Sequence, residues 1–239
     1  MASSHSTHAN PEIRNPGSYA VSGGVKTLFL VLAAIGVGTF AYGLMNDPHR
    51  AWAAFMHNHF YFLCLGLGGG FFAAIQWLTG AMWSAPIRRV SESFTAYIPV
   101  SLLMFVVLYF GLHHIYLWTH PEHVKGDILL EGKAGYLNPA FFMIRNVVGL
   151  GALYAITRKM IGNSIAQDAA GDFVYTLRNR TLAPAFLIVF GLVFTMTSFD
   201  HLMSLDPHWF STMFGVYCFA GLFYSNLALT CLLTLFLRA

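Results

Sequence analysis

The sequence predicts an all-α protein that crosses a membrane about six times. Of its 239 residues, 56% are hydrophobic and only 10% are charged, whereas soluble domains carry about 25% charged residues. The chain also contains a series of apolar runs, each close to the roughly 20 residues that a helix needs to cross a bilayer core. The formal net charge of +3 is too small to indicate nucleic-acid binding. These observations place the chain in lipid.

Six windows of the sequence are long and apolar enough to form spanning helices. They cover about residues 24–45, 56–79, 94–118, 138–157, 182–204 and 209–237. We therefore expect a polar cytoplasmic tail at 1–23 and a transmembrane helical domain at 24–239. In the second window, the glycine-rich segment Gly66–Gly70 should let a neighbouring helix approach closely.

The distribution of lysine and arginine predicts the orientation. Nine of these residues lie on the side of the membrane that carries the N-terminus. Only Arg50, Lys125 and Lys133 lie on the opposite side, and Arg145 lies within a span. Because cytoplasmic loops carry the excess of basic residues, both termini are expected to be cytoplasmic.

Histidines and carboxylates collect on the predicted outer side, in the loops and at the helix ends. The candidates for proton handling or for structural polar contacts are His113, His114, Glu122, Asp127, Arg145, Asp200, His201, Asp206 and His208. In this assignment no Asp or Glu lies at mid-membrane depth. The sequence therefore argues against a complete proton wire within this chain.

The adjacent His113 and His114 are also compatible with a haem-binding site. Two imidazoles from facing helices can ligate haem iron, and His57 or His59 could supply the second ligand. The alternative is that these histidines bond to loop backbone at the membrane interface. The three cysteines, Cys64, Cys218 and Cys231, lie in apolar runs without a C-x-x-C spacing, so iron–sulfur, zinc and covalent haem motifs are absent from the sequence.

Arg145 is the basic residue that lies well inside a span. A charge at that depth is costly and is normally paired or extended toward the interface. Asp200 should lie at a similar depth on the next spanning helix, so pairing of the two is predicted. The alternative is that Arg145 extends alone to the outer interface.

The segment 198–212 is expected to form an outer hairpin with several ionisable groups. Pro207 cannot continue a helix, so Asp206 and Pro207 should form a tight turn. The preceding helix is expected to begin near Pro184, and the following one near Trp209, a good interfacial anchor.

These residues resemble those of a known family. The run DHLMSLDPHWFSTMFGVYCFAG at 200–221 is very similar to the signature of the F subunit of bacterial alternative complex III. Further similar stretches are Ala96-Tyr97, residues 111–122 and KAGYLNPAFFMIR at 133–145. The matched family residues are His113, Glu122, Lys133, Asn138, Arg145, Asp200, Asp206, His208 and Trp209.

The resemblance implies a fold and a function. The fold would be NrfD-like, with the first four-helix bundle and flanking helices present. The chain would be a non-catalytic membrane subunit of a quinol:cytochrome c oxidoreductase in the bacterial cytoplasmic (inner) membrane. It would carry no cofactor itself, while partner subunits hold haem c and iron–sulfur clusters and quinone binds nearby. Its implied roles are to scaffold the membrane sector and to contribute a proton half-channel.

The sequence departs from the family pattern at two points. Family members have about ten helices, whereas this sequence stops after the sixth, so by the resemblance it is expected to be a fragment or a truncated form that lacks helices seven to ten. His201 stands where the family pattern has an aromatic residue, usually Trp. Two other functions remain open at this point: a haem-binding membrane cytochrome, and a transporter for a small solute or ion, with Gly66–Gly70 as its broken helix.

Overall fold

The computed structural model of the chain describes residues 22–238, with side chains through Leu237. Most of the predicted polar tail at 1–23 lies outside the described residues. Every regular element from 22 to 238 is helical, and six helices or helical runs are long and apolar enough to cross a membrane. The predicted all-α, multi-pass fold class is therefore confirmed.

Ten α-helices make up the described part of the chain, joined in places by short 3-10 turns. They are α1 (Gly23–Asn46), α2 (Pro48–Thr79), α3 (Ala85–Phe94), α4 (Ile98–Leu108), α5 (Leu112–Ile115), α6 (Pro121–Val124), α7 (Ile128–Lys133), α8 (Pro139–Ala170), α9 (Val174–His201) and α10 (Phe214–Arg238). The third span is the run Ala85–Ile115, which joins α3, α4 and α5.

The chain divides into two compact units, at 1–42 and 43–239. In the described part of the first unit, α1 is apolar on all sides, and Lys26 is its one charged residue. The Ser22 hydroxyl accepts the Val25 N–H at 3.4 Å and so satisfies one N–H at the start of this helix. An all-round apolar surface suits a helix surrounded by lipid.

The glycine-rich segment of α2 forms the centre of the second unit. A Cβ at Gly68 would lie 2.9 Å from the Asn226 Cβ of α10. A Cβ at Gly69 would lie 2.3 Å from the Ser91 carbonyl oxygen of α3. Helices α3 and α10 therefore pack closer to α2 than a larger residue would allow, as the glycine run predicts.

The third span differs from its predicted window of 94–118, because it runs from Ala85 to Ile115. Its first helix, α3, is amphipathic and carries Arg88, Arg89 and Glu92. Hydropathy alone therefore places the start of the span too late. Pro99 occupies the first turn of α4, where no N–H partner is needed.

The fourth and fifth spans extend beyond their predicted windows of 138–157 and 182–204. Helix α8 continues beyond the end of its window, and α9 begins before the start of its window, in both cases through polar sequence. Helix propensity and packing, rather than hydropathy, decide where these two helices end and begin. Pro184 consequently lies inside α9 instead of near its start. The sixth span begins at Phe214 rather than near Trp209, because the Asp206 carboxylate accepts the His208 N–H and extends the turn.

The connections of the second unit collect at two faces. At one face, His208 donates to Asp127 across 2.6 Å and His49 donates to the His114 carbonyl at 2.8 Å. We call this the histidine face (residues 112–138 and 202–213). At the other, the Arg89 guanidinium donates to the Asp168 carboxylate. We call this the basic face (residues 80–92 and 158–180).

Candidate functional site

The sequence-predicted pair of Arg145 and Asp200 is present near the histidine face. The Arg145 Nε and Nη2 atoms donate to the Asp200 Oδ2 and Oδ1 atoms at 2.7 and 2.6 Å. The side chain of Asp200 is 0% exposed and that of Arg145 is 7% exposed. A bidentate geometry of this kind is the strongest form of an arginine–carboxylate contact.

Two further donors complete the surroundings of the Asp200 carboxylate. Asn146 Nδ2 donates to Oδ2 at 2.6 Å, and the Tyr136 hydroxyl donates to Oδ1 at 3.1 Å. The Thr197 hydroxyl then donates to Asn146 Oδ1 at 3.1 Å. Both carboxylate oxygens are thus satisfied in the ionised form, which offsets much of the cost of burying the charge.

The start of α8 holds Arg145 in position. Asn138 caps the helix, with its Oδ1 atom accepting the Phe141 N–H at 2.8 Å, and Pro139 occupies the first turn. Arg145 also donates to the Tyr136 carbonyl at 2.7 Å, and its guanidinium carbon lies 3.8 Å from the centre of the Tyr136 ring. Partial burial, with the charge of Asp200, raises the pKa of Tyr136 to about 12. Tyr136 therefore remains a hydrogen-bond donor at neutral pH.

His201 lies beside this network but points into an aromatic pocket. Its ring centre is 5.6 Å from that of His59, and both residues are buried. Phe60 and Phe105 also pack against His201, at 5.8 and 5.3 Å between ring centres. The Nε2 atom of His201 and both ring nitrogens of His59 lack hydrogen-bond partners within the described residues. His201 is the last residue of α9, in line with its predicted position at a helix end, and its ring and that of His59 are buried.

A second buried carboxylate, Glu92, lies at the basic face. Its Oε2 atom accepts from Arg89 Nη1 at 2.8 Å, and its Oε1 atom accepts from the Ser164 hydroxyl at 3.0 Å. Arg88 Nε lies 3.6 Å from Oε1. Arg89 donates in addition to the Ser164 carbonyl and to Asp168. Sequence analysis missed Glu92, because its apolar window began at residue 94.

An apolar layer separates the two polar networks. Asn146 and Thr157 lie on the same buried side of α8, and Leu150 and Leu153 between them are both 0% exposed. Eleven residues of helix correspond to about 16 Å. The Asp200 network therefore reaches the histidine face but stops at this layer.

Two of the other histidine candidates, His113 and His114, line a pocket of about 450 Å³ at the histidine face. His113 and His120 have ring centres 3.8 Å apart, and His120 Nε2 donates to the His113 carbonyl. His114 lines the same pocket, with His49 and His123. Within residues 22–237, no group of three or more histidine, cysteine or carboxylate side chains has a geometry that could hold a metal ion.

The histidines considered for a haem site make different ring contacts in the structure. The ring contacts of His59 are with Phe55, Phe105 and His201, whereas those of His113 are with His114 and His120. Direct ring contacts do not test a pair of imidazoles separated by a haem, so the haem alternative stays a hypothesis.

The remaining candidates have structural roles in the loops. Asp127 caps α7 by accepting the N–H groups of Leu129 and Leu130, and the hydrogen bond from His208 lowers the pKa of its carboxyl. Glu122 is exposed, with its Oε1 atom 3.9 Å from His120 Nδ1. Lys133 donates to the Pro207 carbonyl and so joins the two loops of the histidine face.

The fold and the site define a class: a multi-pass helical membrane protein with a buried ion pair close to one face. Comparison with known proteins does not narrow this class. No protein-family model matches the chain, and no curated protein matches it.

Proposed function

We propose that the chain is a cofactor-free membrane subunit of a quinol-oxidising respiratory complex of the alternative complex III type. The proposal rests first on the resemblance of residues 111–122, 133–145 and 200–221 to the F subunit of that complex. In this role the chain scaffolds the membrane sector of a bacterial inner-membrane complex. Partner subunits, a periplasmic multihaem cytochrome and an iron–sulfur protein, carry the redox groups.

The buried pair of Arg145 and Asp200 is the observation that carries the proposal. Charges inside a membrane protein are expensive and usually serve a function. Both residues match the family pattern, and they meet in one hydrogen-bonded network with Tyr136 and Asn146.

The extent of the network supports a proton half-channel rather than a complete wire. The Asp200 network is continuous with the polar loops of the histidine face through Tyr136. It ends at Leu150 and Leu153, which lie between Asn146 and Thr157 on α8. A proton could reach Asp200 from the histidine face, while passage to the basic face would need groups from another subunit.

Co-purification tests the proposal. The chain is given an affinity tag in its native organism and isolated in mild detergent. We expect a c-type haem spectrum, an iron–sulfur protein and quinol:cytochrome c reductase activity in the eluate. An eluate without haem and without quinol oxidation would contradict the proposal. If the chain still shows a haem absorption band after it is separated from all partner subunits, the cytochrome alternative is favoured instead.

The proposed orientation has its own test. The account puts the histidine face in the periplasm and both termini in the cytoplasm. Single cysteines at the exposed positions Gly132 and Ala170 are compared in a variant without Cys64, Cys218 and Cys231. An impermeant maleimide should label Gly132→Cys in whole spheroplasts, and Ala170→Cys only after lysis. The opposite pattern would reverse the orientation.

A further inference from the structure

A groove lies at the basic face, between the third span and α8. It encloses about 810 Å³, within the range of about 300–1,000 Å³ that ligand sites occupy. It belongs neither to the Asp200 network nor to the histidine-lined pocket. The proposed function does not use it.

The packing of α3 explains why the groove exists. Gly69 lets α3 lie against α2, where the Ser91 carbonyl fills the space that a Cβ would need. On the same side, the Ser91 hydroxyl donates to Asn226 of α10 at 3.3 Å. Helix α3 therefore packs closely against α2 and α10, while it reaches α8 through the polar side chains of Arg89 and Glu92, which contact Asp168 and Ser164. A gap between the third span and α8 remains beside these contacts. The gap is lined by Pro99, Tyr154 and Gly162, among others.

The two arginines that line the groove differ in whether they already have anionic partners. Arg89 is occupied by Glu92, Asp168 and the Ser164 carbonyl. Arg158 also lines the groove, is exposed, and makes no ion pair among residues 22–237. It is therefore the cation that remains available to an outside anion. The surrounding face is basic as well, with six Lys or Arg and three carboxylates between 85–92 and 158–180.

The length of α8 suits a position of Arg158 near the boundary of the hydrocarbon core. Helix α8 begins at Pro139, and 19 residues of helix rise about 29 Å. The hydrocarbon core of a bilayer is about 30 Å thick. If α8 enters the core near Pro139, Arg158 lies at the opposite boundary. Pro99 and Tyr154 then line the part of the groove on the hydrocarbon side.

We propose that this groove binds an anionic phospholipid, with its phosphate on Arg158 and an acyl chain against Pro99 and Tyr154. Basic recesses between spanning helices on the cytoplasmic side are suited to such headgroups. The charge of the face favours an anionic lipid, such as phosphatidylglycerol or cardiolipin, over a zwitterionic one. This inference depends on the membrane class of the chain and on the proposed cytoplasmic position of the basic face, and it stands or fails independently of the proposed respiratory function.

Native mass spectrometry of the purified protein, in whatever complex it forms, tests the inference. The protein is delipidated and titrated with phosphatidylglycerol, phosphatidylcholine or inorganic phosphate. We expect phosphatidylglycerol to bind, and Arg158→Gln to weaken it about five-fold, the effect of one interfacial basic residue. Arg178→Gln, at a basic-face residue that does not line the groove, is the matched control and should bind as the wild type does.

A second pair of variants tests the apolar part of the groove. A Cβ at Gly162 or at Gly151 would meet no atom within 4 Å, but only Gly162 lines the groove. Gly162→Leu should therefore displace the lipid while Gly151→Leu retains it, with equal melting temperatures in lipid-free detergent. Equal losses in Arg158→Gln and Arg178→Gln would overturn the proposal. The proposal would also be overturned if phosphatidylcholine bound as tightly as phosphatidylglycerol, or if inorganic phosphate bound in place of the lipid. A structure of the complex in which a partner helix covers the groove would overturn it as well.

Discussion

Two carboxylates, Asp200 and Glu92, are buried among the described residues; they lie near opposite faces and are stabilised in different ways. Asp200 is 0% exposed and its partner Arg145 is 7% exposed, in a bidentate pair. Glu92 is 4% exposed, but its partners Arg88 and Arg89 are 17% and 35% exposed. The first pair is sealed within the bundle, whereas the second is open to the basic face through its arginines. Two carboxylates that are similarly buried therefore differ in how strongly each depends on a single arginine.

The largest loss of folding stability is expected when the sealed pair of Arg145 and Asp200 is broken. Asp200→Leu leaves the Arg145 guanidinium buried without its counter-ion. Breaking a buried pair in this way costs about 3–5 kcal/mol. The free energy of unfolding in detergent, measured by denaturant titration, should fall by that amount. A change below about 1 kcal/mol would show that Arg145 can reach water and that the pair is not sealed.

A smaller effect is expected at the open pair. Glu92→Gln keeps hydrogen bonds to Ser164 and Arg89, and Arg89 retains Asp168 as a counter-ion. The expected loss is about 1.5–3 kcal/mol, as for a hydrogen bond to a charged group. The same titration measures it, with Asp200→Asn as the matched amide variant. If Glu92→Gln costs more than Asp200→Asn, the contrast between the two pairs is reversed.

Replacement of His201 should raise the free energy of unfolding instead of lowering it. Its Nε2 atom is buried without a partner among the described residues, and an unsatisfied polar group costs about 1–3 kcal/mol. His201→Phe keeps the aromatic packing and should raise the free energy of unfolding by about 1 kcal/mol. His57→Phe, at an exposed position on α2, serves as the control. A loss of stability would show that Nε2 is hydrogen-bonded in solution.

The smallest effect is expected in the loops of the histidine face. The hydrogen bond from His208 holds the pKa of Asp127 below its ordinary value. Because the folded pKa is depressed, the contribution of Asp127 is present above the unfolded pKa of about 3.9. It is lost as the pH falls through the lower folded pKa. In His208→Ala, the pKa of Asp127, measured by carboxyl NMR, should move upward. An unchanged pKa would show that the hydrogen bond does not form in solution.

The spanning helices could be predicted from the sequence because lipid imposes a simple requirement of length and apolarity. The pairing of Arg145 with Asp200 followed from the same physics, since a lone charge in an apolar run needs a partner at its own depth. Its other partners could not be predicted in this way. Tyr136 reaches Asp200 from a loop whose path depends on the Asn138 cap, and Asn146 is one of several polar residues on α8.

The remaining errors arose where hydropathy does not decide the structure. Glu92 was missed because α3 is amphipathic and its buried side is set by contact with α2 and α10. For His59 and His201, a position near a helix end indicates depth but not direction. Whether such a ring points outward or into the bundle depends on helix rotation, and for His59 the close packing of Gly68 and Gly69 of α2 against α10 and α3 constrains that rotation.

The most direct test of the account is a double-mutant cycle on the sealed pair. Arg145→Leu, Asp200→Leu and the double variant are compared by the free energy of unfolding and by assembly into the membrane complex. The account predicts that the double variant is more stable than either single variant, because removing one partner strands the other charge. Simple additivity of the two single effects would contradict it, and Arg145 would then be a residue that reaches the interface alone.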